Sequence, residues 1–224
     1  MRPMTDEHLA ILRRHMVEVI GIHVELIAEE LGKAALDERV AAALLRVPRH
    51  HFVPDELVEL AYADTPLPIG FDKTISQPFI AALMIDLLAP GPGDIVLEVG
   101  TGLGYQAALL AELSGHVWSV EVVEEFAADA AARLRRLGRH NVAIRVGDGS
   151  RGWSEHAPFD RILVTAATGQ VPRALAEQLK SGGRMVLPLG PPEFQALTVV
   201  EKEDGTLTAR EIIAVRFTQL ETAA

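Results

Sequence analysis

A run of glycines and three acidic residues carry the chemistry most directly readable in this chain. Glu98-Val99-Gly100-Thr101-Gly102-Leu103-Gly104-Tyr105 follows the apolar run Ile95-Val96-Leu97 and leads into Gln106-Ala107-Ala108-Leu109-Leu110-Ala111. That order spells strand, glycine turn, helix. Alternating glycines let the backbone turn sharply and approach a ligand closely, where a Cβ would clash. The helix that follows opens with unpaired backbone N–H groups facing whatever sits in the turn. The stretch is therefore a pocket floor for a nucleotide-like cofactor. The alternative is a turn with no ligand, yet three glycines in five residues weaken helix and strand without a packing gain.

A dinucleotide site needs G-x-G-x-x-G/A, with a small third residue for close helix–strand packing. Here the glycines are 100, 102 and 104, and the third position is Tyr105. Glu98 also stands before the turn. A carboxylate there suits a cofactor with positive charge or ammonium donors better than one with a diphosphate. S-adenosylmethionine fits, with a sulfonium, an amino group and no phosphate. Open parallel sheets bind ligands outside the carboxyl ends of their strands, and two further acids fall at such ends. Glu121 ends the next strand, about 20 residues past the glycines, where a carboxylate can accept bonds from ribose hydroxyls. Asp148, between Gly147 and Gly149, follows the third strand and could bond an adenine amino group. An NAD oxidoreductase remains a weaker alternative, given Tyr105 and the missing catalytic set.

Other chemistry finds little footing. No G-x-S-x-G elbow, P-loop or H-E-x-x-H occurs. There is no cysteine, so thiolate catalysis, disulfides and cysteine metal sites are excluded. His15 and His23, eight apart, could share a helix face but have no third ligand, and no metal site is expected. His50 and His51 beside Arg49 read as surface or packing residues. A net charge of −10 disfavours a nucleic-acid partner, which needs a basic face. No stretch approaches a membrane span, and Met1-Arg2-Pro3-Met4-Thr5-Asp6-Glu7 lacks the apolar core of a signal peptide, so the expectation is a cytoplasmic protein without membrane association.

The elements that must position these residues come in two parts, 1–88 and 89–224, expected to form one globular unit. In the first, Thr5-Asp6-Glu7 starts a helix running towards Gly32. Its middle is apolar on more than one face and could pack on a partner chain, which makes a homodimer through this helix an expectation. Asp37 caps a helix over residues 38–47, stopped by Pro48, and Asp55 caps a short helix through Tyr62. Residues 63–76 read as a long apolar loop, a length that is usually functional. Residues 77–88 are helical, with Pro78 in the first turn. From Asp94, strands over 95–99, 117–121, 142–146, 161–165 and 185–189 alternate with helices over 105–113, 124–137 and 172–179, with a turn at Ser181-Gly182-Gly183. Alternation implies a doubly wound, mostly parallel α/β sheet. Residues 195–201 and 211–217, joined around Asp204-Gly205, suggest an antiparallel edge.

The chain resembles the protein-L-isoaspartate O-methyltransferases from Val47 to Phe217. The resemblance rests on Val47-Pro48-Arg49-His50-His51-Phe52-Val53-Pro54, Ala61-Tyr62-Ala63-Asp64-Thr65-Pro66-Leu67-Pro68-Ile69-Gly70, Thr74-Ile75-Ser76-Gln77-Pro78 and the glycine turn. Gly147-Asp148-Gly149, Ala157-Pro158-Phe159-Asp160 and Gln178-Leu179-Lys180-Ser181-Gly182-Gly183-Arg184 complete it. It implies a Rossmann-like methyltransferase with an N-terminal helical extension. It implies repair, in which S-adenosylmethionine methylates the α-carboxylate of L-isoaspartyl, and by extension D-aspartyl, residues of damaged proteins and leaves S-adenosylhomocysteine. The ester recloses to a succinimide, and repeated cycles return aspartate. The family's cofactor contacts carry over to Thr74, Ile75, Gly100, Gly102, Glu121, Asp148 and Gly149; with Glu98, Thr101 and Val122 they make the expected cofactor set. The family's serine corresponds to Ser76, expected either to orient the substrate carboxylate or to cap the helix from Gln77, two compatible roles. A methyltransferase for a specific aspartate or other carboxylate of a peptide, and a non-catalytic S-adenosylmethionine-binding protein, are the alternatives. The chain departs from the usual bacterial pattern where Asp72-Lys73 replaces Gly-Gln, and where Thr218-Gln219-Leu220 replaces Val-Pro-Leu, both on the family's substrate side.

Overall fold

The computed structural model describes residues 4–222. Met1-Arg2-Pro3 of the N-terminal stretch and the last two alanines, 223 and 224, lie outside the described residues. Helix α1 (Asp6–Leu26) begins where the Thr5 side chain accepts from the His8 N–H. The expected run to Gly32 is interrupted at Ile27, and a single turn, α2 (Ala28–Leu31), completes it before left-handed Gly32. Asp37 caps α3 (Glu38–Arg46) by accepting from the Arg39 N–H. Residues Arg49–Phe52 and Asp55–Leu60 form 3-10 turns; the second starts from Pro54, so Asp55 is not a side-chain cap.

The expected loop 63–76 instead holds a hairpin. Strand β1 (Leu67–Gly70) pairs antiparallel with β2 (Lys73–Ile75). Its turn residues Phe71 and Asp72 have φ of 49° and 55°, the positive pair that a tight primed turn requires and that glycine or asparagine normally supplies. Helix α4 (Pro78–Leu88) follows.

The remaining elements alternate: β3 (Ile95–Val99), α5 (Tyr105–Leu113), β4 (His116–Glu121), α6 (Glu124–Arg136), β5 (Val142–Val146), β6 (Phe159–Val164), α7 (Arg173–Gln178), β7 (Leu179–Leu189), β8 (Gln195–Glu203) and β9 (Thr206–Val215). They form one sheet in the order β5-β4-β3-β6-β7-β8-β9. The first five strands are parallel, and β8 and β9 add the antiparallel edge. Several boundaries shift by one or two residues, β9 starts at Thr206 and not at 211, and two further differences have a visible cause or consequence. Strand β7 starts at Leu179 and absorbs Ser181-Gly182-Gly183, because Leu179 already pairs with Phe159 and the register shift beyond that pair takes up the glycines. Strand β9 stops at Val215, leaving Phe217 in the segment beyond.

Strand alternation decides what each face holds. Val96 and Leu163 point into the layer built from α1, α3, α4 and α5, while Leu97, Val99, Ile162 and Val164 point into the layer that includes Leu175 of α7. Both faces are covered, so the parallel strands read as continuous apolar runs. Strand order reverses at β3, whose neighbours β4 and β6 lead away in opposite directions. Ligand crevices in open α/β sheets lie at such a point.

Candidate active site

A cavity of about 920 Å³ opens there. It is lined by Val99 to Leu103 after β3, Val120 to Val122 at the end of β4, Gly149 after β5 and Thr165-Ala166 after β6. Its size is that of a small-molecule site with room to spare. At Gly100, φ is 92° and an added Cβ would lie 2.3 Å from Thr165 Oγ1. That hydroxyl donates to the Gly100 carbonyl at 2.7 Å, pinning the turn to β6. At Gly149 an added Cβ would lie 2.4 Å from Val99 Cγ1. Both glycines thus keep backbone at the cavity wall where no side chain fits.

Glu121 is buried on that wall. Its carboxylate accepts from the Gly102 N–H at 2.7 Å and from the Val122 and Val123 N–H groups at 2.9 and 3.0 Å. A carboxylate offers about four lone-pair positions, so Glu121 shapes the turn and retains acceptor capacity for a ligand hydroxyl. The other two predicted acids lie differently. Glu98 is not on the cavity wall. Register pairs it with Ser119 of β4, and alternation sends both side chains to the face of Val96, where Glu98 is fully buried. The Ser119 hydroxyl donates to Glu98 Oε2 at 2.5 Å and lies 2.5 Å from Thr101 Oγ1. Glu98 therefore reaches the cavity only through Ser119 and Thr101. Asp148 is also set back from the wall: its carboxylate accepts from the Ser150 N–H and hydroxyl at 2.9 and 2.6 Å, capping the 3-10 turn that presents Gly149.

Burial pushes the Glu98 carboxyl up to about 8, against an ordinary 4.5. An acid whose folded pKa is raised contributes stability that is complete below the unfolded value and lost as pH rises through the folded one. The window here runs from about pH 4.5 to 8. Glu98→Gln, which stays neutral throughout, is expected to flatten the fall in Tm across that window. Parallel falls for native and variant protein in thermal scans at stepped pH would refute the protonated Glu98.

The opposite wall comes from the N-terminal part. Ile69, Lys73, Thr74, Ile75, Ser76 and Gln77 line the cavity, together with Arg216 to Glu221 of the C-terminal segment. Sequence left Ser76 with two roles, and the structure removes one. Gln77 is the N-cap residue of α4, and it makes no side-chain cap. The orphan Phe79 N–H is satisfied by Asp64 Oδ1 at 2.8 Å, and Asp64 Oδ2 also accepts from the Gln77 amide. Among the described residues the Ser76 hydroxyl has no hydrogen-bond partner, while its carbonyl accepts from Arg49 Nη2 at 2.7 Å.

Arg49 and Asp64 are the positioning residues that the sequence pattern did not single out. Fully buried Arg49 also donates from Nε to the Ala61 carbonyl at 2.8 Å and lies 4.9 Å from the centre of the Tyr105 ring. Tyr105 is buried against Phe52 and Arg49, which explains a bulky residue after the glycines: it faces the N-terminal layer. Arg49 stands between two prolines in a stretch already quoted, but its partners lie 12 and 27 residues away. Only the fold brings them together. His23 turns inward to Asp64 and Phe79, whereas His15 pairs with Glu18 at the surface, so the two do not share a site. Among the described residues no group of three or more His, Cys, Asp or Glu side chains is placed to hold a metal ion, and no helix is long and apolar enough to cross a membrane.

The reversal point, the glycine turn after the first core strand and the acid ending the second define the α/β methyltransferase class. A family model described as protein-L-isoaspartate(D-aspartate) O-methyltransferase (PCMT) matches residues 23–223. The chain belongs to that family. It is 53% identical over 221 residues to protein-L-isoaspartate O-methyltransferase 1 of Polaromonas sp., covering 98% of this chain and 94% of that one. It is 52% identical over 217 residues to protein-L-isoaspartate O-methyltransferase 2 of Syntrophobacter fumaroxidans, covering 96% and 88%. A solved protein-L-isoaspartate O-methyltransferase superposes with a TM-score of 0.80 at 29% identity, over 92% of this chain and 65% of that longer one. A Plasmodium falciparum structure, a putative member in complex with S-adenosyl-L-homocysteine, superposes at 0.77 over 94% and 99%; at 23% identity it bears on the fold alone.

Proposed function

We propose that the cavity holds S-adenosylmethionine beside the α-carboxylate of an L-isoaspartyl residue, and that the chain is a repair methyltransferase for such residues in proteins. The observation that carries this reading is that one cavity is walled by both the glycine turn and the Thr74-Ile75-Ser76 segment. The cofactor's fit rests on the bare backbone that Gly100 and Gly149 present at the cavity wall and on the buried acceptor Glu121. Thr74, Ile75, Gly100, Thr101, Gly102, Glu121, Val122 and Gly149 would hold it from the wall. Glu98 and Asp148 act from behind, through Thr101 and the Gly149 turn.

When bound, S-adenosylmethionine supplies a methyl group already activated by its sulfonium. The substrate carboxylate is ionised at neutral pH, so the protein needs no general base. What the chain contributes is alignment and the exclusion of water. Ser76 donates its hydroxyl to the carboxylate and fixes which oxygen faces the methyl group. Apolar Ile69, Ile75 and Phe126 on the wall keep solvent from the reacting groups. The isoaspartyl peptide and its normal aspartyl twin provide the test: methyl esterification of the first alone is expected, and equal labelling of both would refute repair specificity.

The same proposal extends to D-aspartyl residues, to a cytoplasmic location and to a chain that does not bind nucleic acid. Residues 1–88 and 89–224 are read as parts of one folding unit, supported by a core cluster that runs from Leu9 and Ile20 of α1 to Val96 and Val117 of the sheet. Ile11, Ile22 and Leu26 stand exposed on α1, which supports a homodimer through that helix. Sedimentation velocity at micromolar concentration tests it, and a monomer alone would end it.

A further inference from the structure

Two segments far apart in the chain meet at the cavity mouth. Lys73, on β2, pairs through Nζ with Glu221 Oε1 in the C-terminal segment, 148 residues away. Both residues line the cavity. The Lys73 side chain is 22% exposed and that of Glu221 55%, so the pair sits at the rim and not in bulk solvent. Neither partner hangs on a free tail. Lys73 leads the short β2 strand behind the tight Phe71-Asp72 turn, and Phe71 packs edge-on against Phe126, with ring centres 5.2 Å apart. The C-terminal segment is tied down just before Glu221. The Ala167 N–H donates to the Thr218 carbonyl, the Leu220 N–H donates to the Ala167 carbonyl, each at 2.8 Å, and the Phe217 N–H donates to Gln195 Oε1 at 2.6 Å. Two anchored segments thus hold one carboxylate on one ammonium across the entrance.

Lys73 precedes Ser76 by three residues. An extended chain advances about 3.3 Å per residue, which sets the Lys73 backbone about 10 Å from that of Ser76. The Lys73 ammonium is drawn to Glu221 at the rim, so it is aimed at a carboxylate other than the one Ser76 orients. The backbone span equals the reach of an extended peptide to a residue within three positions of the isoaspartate. Resting on the repair reading above, we propose that Lys73 is a specificity residue that receives an acidic group flanking the isoaspartyl position. Glu221 is its internal competitor: it neutralises Lys73 when no such group is present, and an incoming flanking carboxylate displaces it.

The pair is partly exposed, so a contact of this kind is worth a small multiple in selectivity, roughly three- to fivefold. The experiment uses two isoaspartyl peptides that differ only in carrying Glu or Gln two residues from the isoaspartate. kcat/KM is measured for each with the native chain, Lys73→Gln and Glu221→Gln, at low and high salt. The native enzyme is expected to favour the Glu peptide. Glu221→Gln widens that ratio through a lower KM for the Glu peptide, and Lys73→Gln abolishes it; added salt shrinks the ratio wherever Lys73 is present. A ratio that is the same in all three proteins overturns the proposal while leaving repair intact. Methylation of neither peptide overturns the repair reading itself, and this assignment falls with it.

Discussion

Ser76→Ala is expected to lower kcat by roughly a hundred- to a thousandfold, the usual cost of losing one donor aimed at the reacting centre. The same change should leave Tm and cofactor affinity near their native values. The reason is visible in the hydrogen bonds. Had Ser76 capped α4, alanine there would cost about 1 kcal/mol of stability and blur the result. Instead Asp64 caps that helix from 15 residues away, and the Arg49 contact uses the Ser76 carbonyl, which alanine keeps. The hydroxyl is thus spare for the substrate. Methyl transfer needs the attacking oxygen held in line with the breaking bond, and a loosely held carboxylate presents either oxygen at any angle. Steady-state turnover with an isoaspartyl peptide, titration calorimetry with S-adenosylmethionine and a thermal scan separate the three quantities. Turnover at the native rate would sink the orienting role. A Tm loss matching the turnover loss would return Ser76 to a structural part.

Much of the scaffold was legible because its signals are local. The strands at 95–99 and 142–146 are short apolar runs between turn residues, and their bounds agree with the structure. The hairpin of 67–75 was hidden for the opposite reason. Its strands have four and three residues, one contains Pro68, and Phe71-Asp72 occupies a turn where glycine or asparagine is the usual marker. Glu98 shows a subtler limit. Its place at a strand end could be read from sequence, but its burial behind Ser119 and Thr101 could not, because a strand covered on both sides carries no polar–apolar alternation to mark exposure. Asp148 likewise was read for its position between two glycines, and its contacts with Ser150 had no mark in the sequence. Glu121 was placed by spacing from the glycines, and it lies on the cavity wall. The ion pair between Lys73 and Glu221 had no sequence signature at all, since each residue alone is an ordinary surface charge.

Arg49→Met should be the most destabilising single change around the site, at about 3 to 5 kcal/mol, in the range seen when a buried charged hydrogen-bonding group loses its contacts. The buried carbonyl of Ala61 and the part-buried one of Ser76 would lose their donor, at about 1 to 3 kcal/mol for the first and less for the second. The stacking of the guanidinium on Tyr105 would go as well. Burial lowers the Arg49 pKa only to about 10, so the cation persists at neutral pH, and its charge strengthens both bonds. Arg49→Lys tests geometry apart from charge. One ammonium on a flexible stem cannot reproduce the planar fork that reaches two carbonyls at once. The lysine variant is therefore expected to fold with a Tm lowered by several degrees. It should lose about tenfold in kcat while S-adenosylmethionine affinity changes little, because Arg49 touches the Ser76 side of the cavity through a hydrogen bond and the glycine-turn side only through a ring face. That split between turnover and cofactor binding is what a purely structural arginine would not produce. Equal losses in both for the lysine variant would make Arg49 a packing residue, and a methionine variant as stable as the native chain would show that the two carbonyls are satisfied by other donors.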